Sequence, residues 1–562
     1  MYYKIVWSVL FAGWSFFFAE AQSFRHPLDF PASLSGNFGE LRANHFHSGI
    51  DFKTQGVEGK SVHAVCDGYV CRIAVSPWGY GNVIYLAHPD DSLMTVYAHL
   101  QRFSGAIAGR VKEWQYEAER FAIDLRFEPE QFPVNRGDVI GFSGNSGSSG
   151  GPHLHFEVRD LSADEPVDPL PFYEKQIKDS RPPKVRAVMA HPVESRGVVN
   201  GSSRKQQWTT SVRHDGTTVL NERIEAWGKI GFSLQANDYM DGTTNIYGVK
   251  ELRLFVDGEE LFSSVIDRFS FDQTRYLNAW VDYETWREQR VFFMKTFVEP
   301  GNRLRFITSR NGGFLTVDEP RVYHLEFLLT DAFGNSETFA MEVTGKEQDI
   351  PLCDKLGTTP FFRQEDSRFG AKGIRLLIPE KSLYSHLDFR YACREDSAYF
   401  SGVHRLHDRP VALHRPARLS LFLLRDVLTE THPYGIVALR NGRPSWIGGV
   451  YRDGWLEADI RELGLEYAVA ADTVAPEITP LYPGQWVRNQ TITFRLTDNL
   501  SGIDSYRGTI DGHYALFEMD GKKSSIRYTF DARRLSRGKH VLALTVQDAC
   551  GNTACYEKTF TW

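Results

Sequence analysis

The chain carries no excess of basic charge: 64 Lys and Arg stand against 71 Asp and Glu, a formal net charge of −7. That absence argues against nucleic acid as a partner, because phosphate binding needs a basic footprint. Beyond residue 21 no long apolar run follows, so nothing there approaches the roughly 20 residues that span a bilayer as a helix. Cysteines number only six, and none sits in a Cys-x-x-Cys pair. An H-E-x-x-H helix is also missing, which removes the motif that places a zinc-site Glu base on a helix. Gly (47) and Pro (25) are near ordinary usage, which excludes collagen-like or low-complexity chains but leaves enough punctuation for turn-rich β structure. With 42% hydrophobic and 24% charged residues the composition is globular. A length of 562 residues predicts three or four domains at roughly 150 residues each.

The first 21 residues, MYYKIVWSVLFAGWSFFFAEA, have one early cation (Lys4), an uncharged run from Ile5 to Ala19, and a closing Ala19-Glu20-Ala21. This is the pattern of a signal peptide cut after Ala21. An uncleaved anchor is the alternative, but the run falls short of the roughly 20 residues needed to span. No Cys lies near the cut for lipid attachment. The expectation is an exported chain in the periplasm, cell envelope or extracellular space. An oxidising compartment favours disulfides over a zinc ribbon, and sequence proximity pairs Cys66 with Cys71, Cys353 with Cys393 and Cys550 with Cys555, although connectivity stays open.

The fold class expected is mostly β. Residues 22–175 hold the Gly-rich turns and the densest His cluster. VCDGYVCRI (65–73) and NVIYL (82–86) read as strands around Asp-Gly and Trp-Gly-Tyr-Gly turns. Residues 104–134 interrupt them: RVKEWQYEAER (110–120) reads as a helix with Val111, Trp114, Ala118 and Phe121 near one face, and FAIDLRF (121–127) as a strand. Three β units follow, at 179–348, 349–471 and 472–562. The first and third are read as Ig-like sandwiches because a pattern repeats. Asp179-Ser-Arg-Pro-Pro matches Asp472-Thr-Val-Ala-Pro at the start of each, and Asp331-Ala-Phe-Gly-Asn335 matches Asp548-Ala-Cys-Gly-Asn552 at a hairpin near each end.

Three short segments carry the chemistry. They are Asn44-His45-Phe46-His47-Ser48-Gly49-Ile50-Asp51, Tyr97-Ala98-His99-Leu100, and the loop Gly144–Pro152 running into His153-Leu154-His155-Phe156-Glu157-Val158. The last alternates with period two, so Leu154, Phe156 and Val158 should pack inward while His153, His155 and Glu157 share the other face. Residues two apart on that face stand about 6–7 Å apart, which suits one imidazole on a metal and the other beside it. His47 and Asp51 would be about 13 Å apart in a straight strand, so a bend at Gly49 is needed to bring them together. Taken singly, each histidine is equally well read as a surface or turn residue. His63 in a strand and His88 in a His-Pro turn are read as structural, and Glu157 as a charged strand end with a catalytic base as the alternative.

Together, H-x-x-x-D, Y-A-H-L, G-D-V-I-G-F-S-G-N-S-G (137–147) and G-P-H-L-H-F-E resemble the lysostaphin/LytM family of zinc metallopeptidases, over about Phe38–Arg159. The resemblance implies one Zn²⁺ held by His47, Asp51 and His155, with His99 and His153 as catalytic histidines. It implies an endopeptidase acting on the stem peptides or cross-bridges of peptidoglycan. Asn44 and His45 become candidates for the groove, the 104–134 excursion a candidate groove wall, and the β units binding or spacing modules, also able to meet other envelope proteins. A catalytically silent regulator, or an envelope scaffold binding another wall hydrolase or peptidoglycan, is the rival reading.

Overall fold

The computed structural model describes residues 24–353, 355–425 and 433–562; the expected signal peptide, 1–21, lies outside the described residues. Strand accounts for 49% and helix for 9%, in agreement with a mostly β chain. Among the described residues no helix is long and apolar enough to cross a membrane.

Seven strands form the main path of the sheet that carries the histidines: β1 (Leu34–Gly36), β2 (Ile50–Lys53), β3 (Gly68–Val75), β4 (Asn82–His88), β5 (Leu93–Leu100), β6 (Ile123–Arg126) and β7 (His153–Asp160). Their spatial order is β1-β2-β7-β5-β4-β3-β6, every neighbour antiparallel. β7 alternates as its sequence requires, with Leu154, Phe156 and Val158 fully buried in the core. Register then decides the site: His155 lies opposite Asp51 on β2 and opposite Ala98 on β5. The bend at Gly49 just before β2 is present. Any side chain there would meet Phe156 O at 2.2 Å, so only glycine lets the two backbones approach this closely.

The excursion does contain a helix followed by a strand, but the helix α1 spans Gly105–Glu117, starting five residues earlier than expected. Its buried stripe is therefore Ile107, Val111 and Gln115, one residue per turn, whereas Trp114 is 38% exposed. β6 then extends the edge of β3. The excursion faces the C-terminal module: Lys112 Nζ pairs with Asp531 Oδ2 at 2.7 Å, Tyr116 meets Tyr514 edge-on at 5.7 Å, and the Arg534 guanidinium covers Tyr116 at 3.7 Å.

The three following regions are mainly β, with short helices at Leu277–Trp280, Tyr283–Gln289 and Trp486–Asn489. A ten-stranded sheet runs from Lys184–Val199 to Ser336–Gly345, two five-stranded sheets occupy the region from Ser367 to Ala471, and two four-stranded sheets lie between Glu477 and Thr561. The first of these modules is more than a spacer, because one continuous hydrophobic cluster extends from Phe24 in the N-terminal domain to Val343 in the module. Phe46, next to His47, is the link. Its ring lies 5.4 Å from Phe269, 5.5 Å from Phe306 and 6.0 Å from Trp280, and its N–H donates to Thr274 Oγ1 at 2.9 Å.

The expected disulfides do not form. Cys66 belongs to the main core, with Sγ 3.2 Å from Asp91 Oδ2, whereas Cys71 packs on the other face of β3 and points to Tyr85 O at 3.4 Å. Cys353 N bonds Ser195 Oγ at 3.0 Å, while Cys393 lies in a strand opposite His404. Cys550 sits in the hairpin turn with Sγ 3.5 Å from Pro433 O, and Cys555 faces Thr545 across the ladder. Proximity in sequence places Cys66/Cys71 and Cys550/Cys555 around short turns but not on a common face.

Because Phe46 is buried at the junction of domain and module, Phe46→Ala is expected to remove about 3–5 kcal/mol of stability. Calorimetry of the full chain should show the transition shared by the N-terminal domain and first module moving down, with the C-terminal module's transition unmoved.

Candidate metal centre

Three side chains converge at the β2–β7 ladder. His47 Nε2 lies 3.1 Å from Asp51 Oδ1 and 3.0 Å from His155 Nδ1, and His155 Nδ1 lies 3.0 Å from the same carboxylate oxygen. All three residues are buried. Donor atoms around a zinc at 2.0–2.1 Å stand about 3.3 Å apart in a tetrahedron, so the triangle has the size a metal needs.

Its protonation pattern has the right sense too. His47 Nδ1 is 2.7 Å from Asn37 O and must donate its proton there, which leaves Nε2 as a bare lone pair in the neutral ring. His155 Nε2 donates to Glu157 Oε1 at 2.8 Å, leaving Nδ1 bare in the same way. When both rings are neutral, two imidazole lone pairs and a carboxylate oxygen thus crowd one point. That arrangement is repulsive until a cation fills it, and hydrogen bonds of this kind from the far ring nitrogen are how ligand histidines are oriented. The residues therefore fit a divalent metal with mixed nitrogen and oxygen donors.

Glu157 is the support that the sequence reading missed. It is neither a charged strand end nor a base facing solvent, but fully buried. Oε1 accepts from Ser48 Oγ at 2.6 Å and Tyr80 OH at 2.5 Å as well as from His155, and Oε2 accepts from Arg159 Nε at 2.6 Å. Burial pushes this carboxyl up, but the Arg159 charge and the His155 contact outweigh it and hold it far below the usual range. On His155, burial disfavours the charge, yet Asp51 and Glu157 outweigh it and lift the ring to about 9, so the position at Nδ1 attracts a cation, either a proton or a metal that displaces it. Asp51 is likewise pushed up by burial and pulled further down by His47, His153 and His155. The signal for this network was present in the alternation: His153, His155, Glu157 and Arg159 are successive residues on one face of β7.

His99 and His153 stand beside the triangle. Their rings are 4.8 Å apart, and His99 lies 5.8 Å from His155. His153 Nε2 is 3.4 Å from Asp51 Oδ1, and its Nδ1 donates to Gly151 O at 2.8 Å. His99 Nδ1 donates to Ser146 O at 2.9 Å, so the Gly-rich loop orients both rings. Burial and the neighbouring His155 and His153 push His99 down to about 3, keeping it neutral near pH 7. Its backbone takes the left-handed φ of 58°, a strained conformation for histidine that concentrates at functional sites. The loop is clamped from outside as well: Lys522 of the C-terminal module donates to Ser149 O at 2.8 Å and Asn145 Oδ1 at 3.0 Å.

Residues 45–116, which contain His47, Asp51 and His99, match the sequence model of Peptidase family M23. The N-terminal domain is M23-like. Residues 358–472 match a Zu5-like domain. The DD-carboxypeptidase/endopeptidase Mpg of Neisseria meningitidis is 35% identical over 124 residues, 22% of this chain and 22% of its own length. The glycyl-glycine endopeptidase ALE-1 of Staphylococcus capitis is 30% identical over 128 residues, 22% of this chain and 28% of its own length. This chain therefore spans only about a fifth to a quarter of these relatives. A zinc-containing peptidase from Vibrio cholerae aligns in three dimensions over 26% of this chain and 39% of its own, with 26% identity and a TM-score of 0.20.

The cavity of the M23 domain has a volume of about 800 Å³ and is lined by the five convergent residues together with Arg42, Tyr80 and Arg159. Phe271 and Thr274 of the first β module complete its wall, Phe271 lying 4.5 Å beneath the Arg159 guanidinium. The wall expected from the 104–134 excursion is thus supplied by this module. His45 lies exposed at the rim, its Nδ1 turned to Ala43 O at 2.8 Å. Asn44 turns towards the module instead, where its Oδ1 accepts from Asn278 Nδ2 at 3.1 Å. His63 bonds Gly137 O and Asp29, and His88 bonds Asp67 O and Thr95, all at 2.7–2.8 Å, in structural roles.

Glu157→Gln would leave Arg159 only the exposed Asp164 as a carboxylate partner and loosen the His155 ring. Zinc affinity is expected to fall about 10–100-fold, measured by competition with a chromophoric chelator, with His155 still in place.

Proposed function

We propose that the protein is an exported zinc endopeptidase that hydrolyses peptide bonds in the stem peptides or cross-bridges of peptidoglycan. The observation that carries this reading is the triangle of His47, Asp51 and His155 lone pairs, with two further imidazoles at its side in an open cavity. A DD-carboxypeptidase/endopeptidase and a glycyl-glycine endopeptidase among the relatives support the substrate class.

His47, Asp51 and His155 would hold the ion, which supplies Lewis acidity and lowers the pKa of a water ligand towards about 7. The chain's own residues do the rest. Glu157 and Asn37 fix the ring orientations of the two ligand histidines. His99, held neutral, is available to take a proton, and His153, beside Asp51, is positioned to steady the developing oxyanion or exchange that role with His99. The loop at 144–152 lays backbone along the cavity for an extended peptide, and Phe271 with Thr274 restricts the opposite side.

The test is hydrolysis of purified sacculi with metal content measured in parallel. His47→Ala and His155→Ala should lose both zinc and activity, whereas His99→Ala should keep zinc and lose turnover by about 10²-fold or more. Zinc-loaded wild-type protein that releases no muropeptides would favour a silent wall-binding regulator instead.

A further inference from the structure

The repeated Asp patterns of the first and last β modules have no part in the peptidase reading, yet each folds into a carboxylate cluster. Asp179, Asp238 and Asp331 bring oxygens within 4.8 Å of one another, and so do Asp472, Asp498 and Asp548. The positions are equivalent. One Asp precedes the first strand of the module, one follows the next long strand (Ile224–Asn237 or Thr491–Thr497), and one opens the Gly-Asn hairpin. In both, the hairpin Asn ties the cluster together: Asn335 Nδ2 donates to Asp179 O and Asp331 Oδ2, and Asn552 Nδ2 to Asp472 O and Asp548 Oδ2.

The two differ in what remains unsatisfied. In the last module, backbone N–H groups of Ser501, Leu500 and Gly502 already donate to Asp472 and Asp498 at 2.8–3.0 Å, and of its carboxylate oxygens only Asp498 Oδ1 is left buried without a partner. In the first, Asp238 is completely buried and neither of its carboxylate oxygens has a hydrogen-bond partner; Asp179 Oδ2 is buried and unpartnered beside it. The neighbouring cation, Arg181, turns away to Met240 O and the Tyr239 ring. A buried carboxylate with both oxygens bare, facing two more carboxylates, is among the costliest arrangements a protein core can hold without a counter-ion. Burial and the charges of Asp331 and Asp179 accordingly push Asp238 up to about 8.

We propose that Asp179, Asp238 and Asp331 form a Ca²⁺ site at the root of the first β module. The donors offered are all oxygen, the set that hard cations take and zinc does not prefer. Ca²⁺ readily takes a cage of protein carboxylates, whereas Mg²⁺ dehydrates reluctantly and keeps most of its waters. The site has a structural reach. Asp238 pairs through its backbone with Tyr247 at 3.0 Å, the adjoining Gly248 exchanges two 2.8 Å hydrogen bonds with Asn37, and Asn37 O orients His47. The ion would brace the segment that steadies one edge of the peptidase cavity.

The test uses zinc-loaded full-length protein in buffer freed of other divalent cations, titrated with CaCl₂ or MgCl₂ by calorimetry and thermal melting. Expected are saturable Ca²⁺ binding with half-saturation at about 0.1–1 mM, a Tm rise of about 3–10 °C at 10 mM Ca²⁺, and a smaller response to Mg²⁺. Asp238→Asn should fold without Ca²⁺, since it removes the bare charge, and should lose the rise; Asp179→Asn should weaken it at a less buried position. Asp498→Asn should keep it. A wild-type protein indifferent to 10 mM Ca²⁺, or a rise that survives Asp238→Asn or disappears with Asp498→Asn, would overturn the assignment.

Discussion

The N-terminal domain is organised around mutual repulsion that a cation turns into cohesion. Asn37 O takes one proton of the pair of ligand rings and Glu157 takes the other, so both imidazoles present lone pairs to the Asp51 carboxylate at hydrogen-bond range. This arrangement follows from strand register. With His155 opposite Asp51 on β2, and Gly49 pressed against Phe156 O, the loop before β2 has no room to place His47 elsewhere.

Glu157 shows how much support such a triangle needs. A carboxylate with no exposure is tolerated because Arg159 neutralises it and Ser48, Tyr80 and His155 occupy its oxygens. Arg159 in turn rests on Phe271 of the next module. The polar network beneath the metal ligands and the aromatic contact between domain and module are thus mechanically continuous. Phe46 makes the same connection from the other side, one residue from His47.

The β modules are therefore part of the cavity's architecture rather than beads on a string. The first closes one wall of the cavity and shares its core with the N-terminal domain. The last reaches back to the helical excursion and, through Lys522, to the Gly-rich loop that orients His99 and His153.

Much of this was legible in the sequence, because period-two alternation in His153–Val158 assigns faces without knowledge of neighbours, and because His47 and Asp51 required the bend that Gly49 permits. The helix in the excursion was legible too, but its buried face was not, since packing against the sheet and the C-terminal module decides which stripe is covered. Local pattern alone could not say which strand lies beside β7, that Glu157 is buried, that Phe271 and Thr274 complete a cavity more than 100 residues away in sequence, or that paired cysteines face apart. Each of those depends on long-range register, and register is set by which core faces meet in three dimensions.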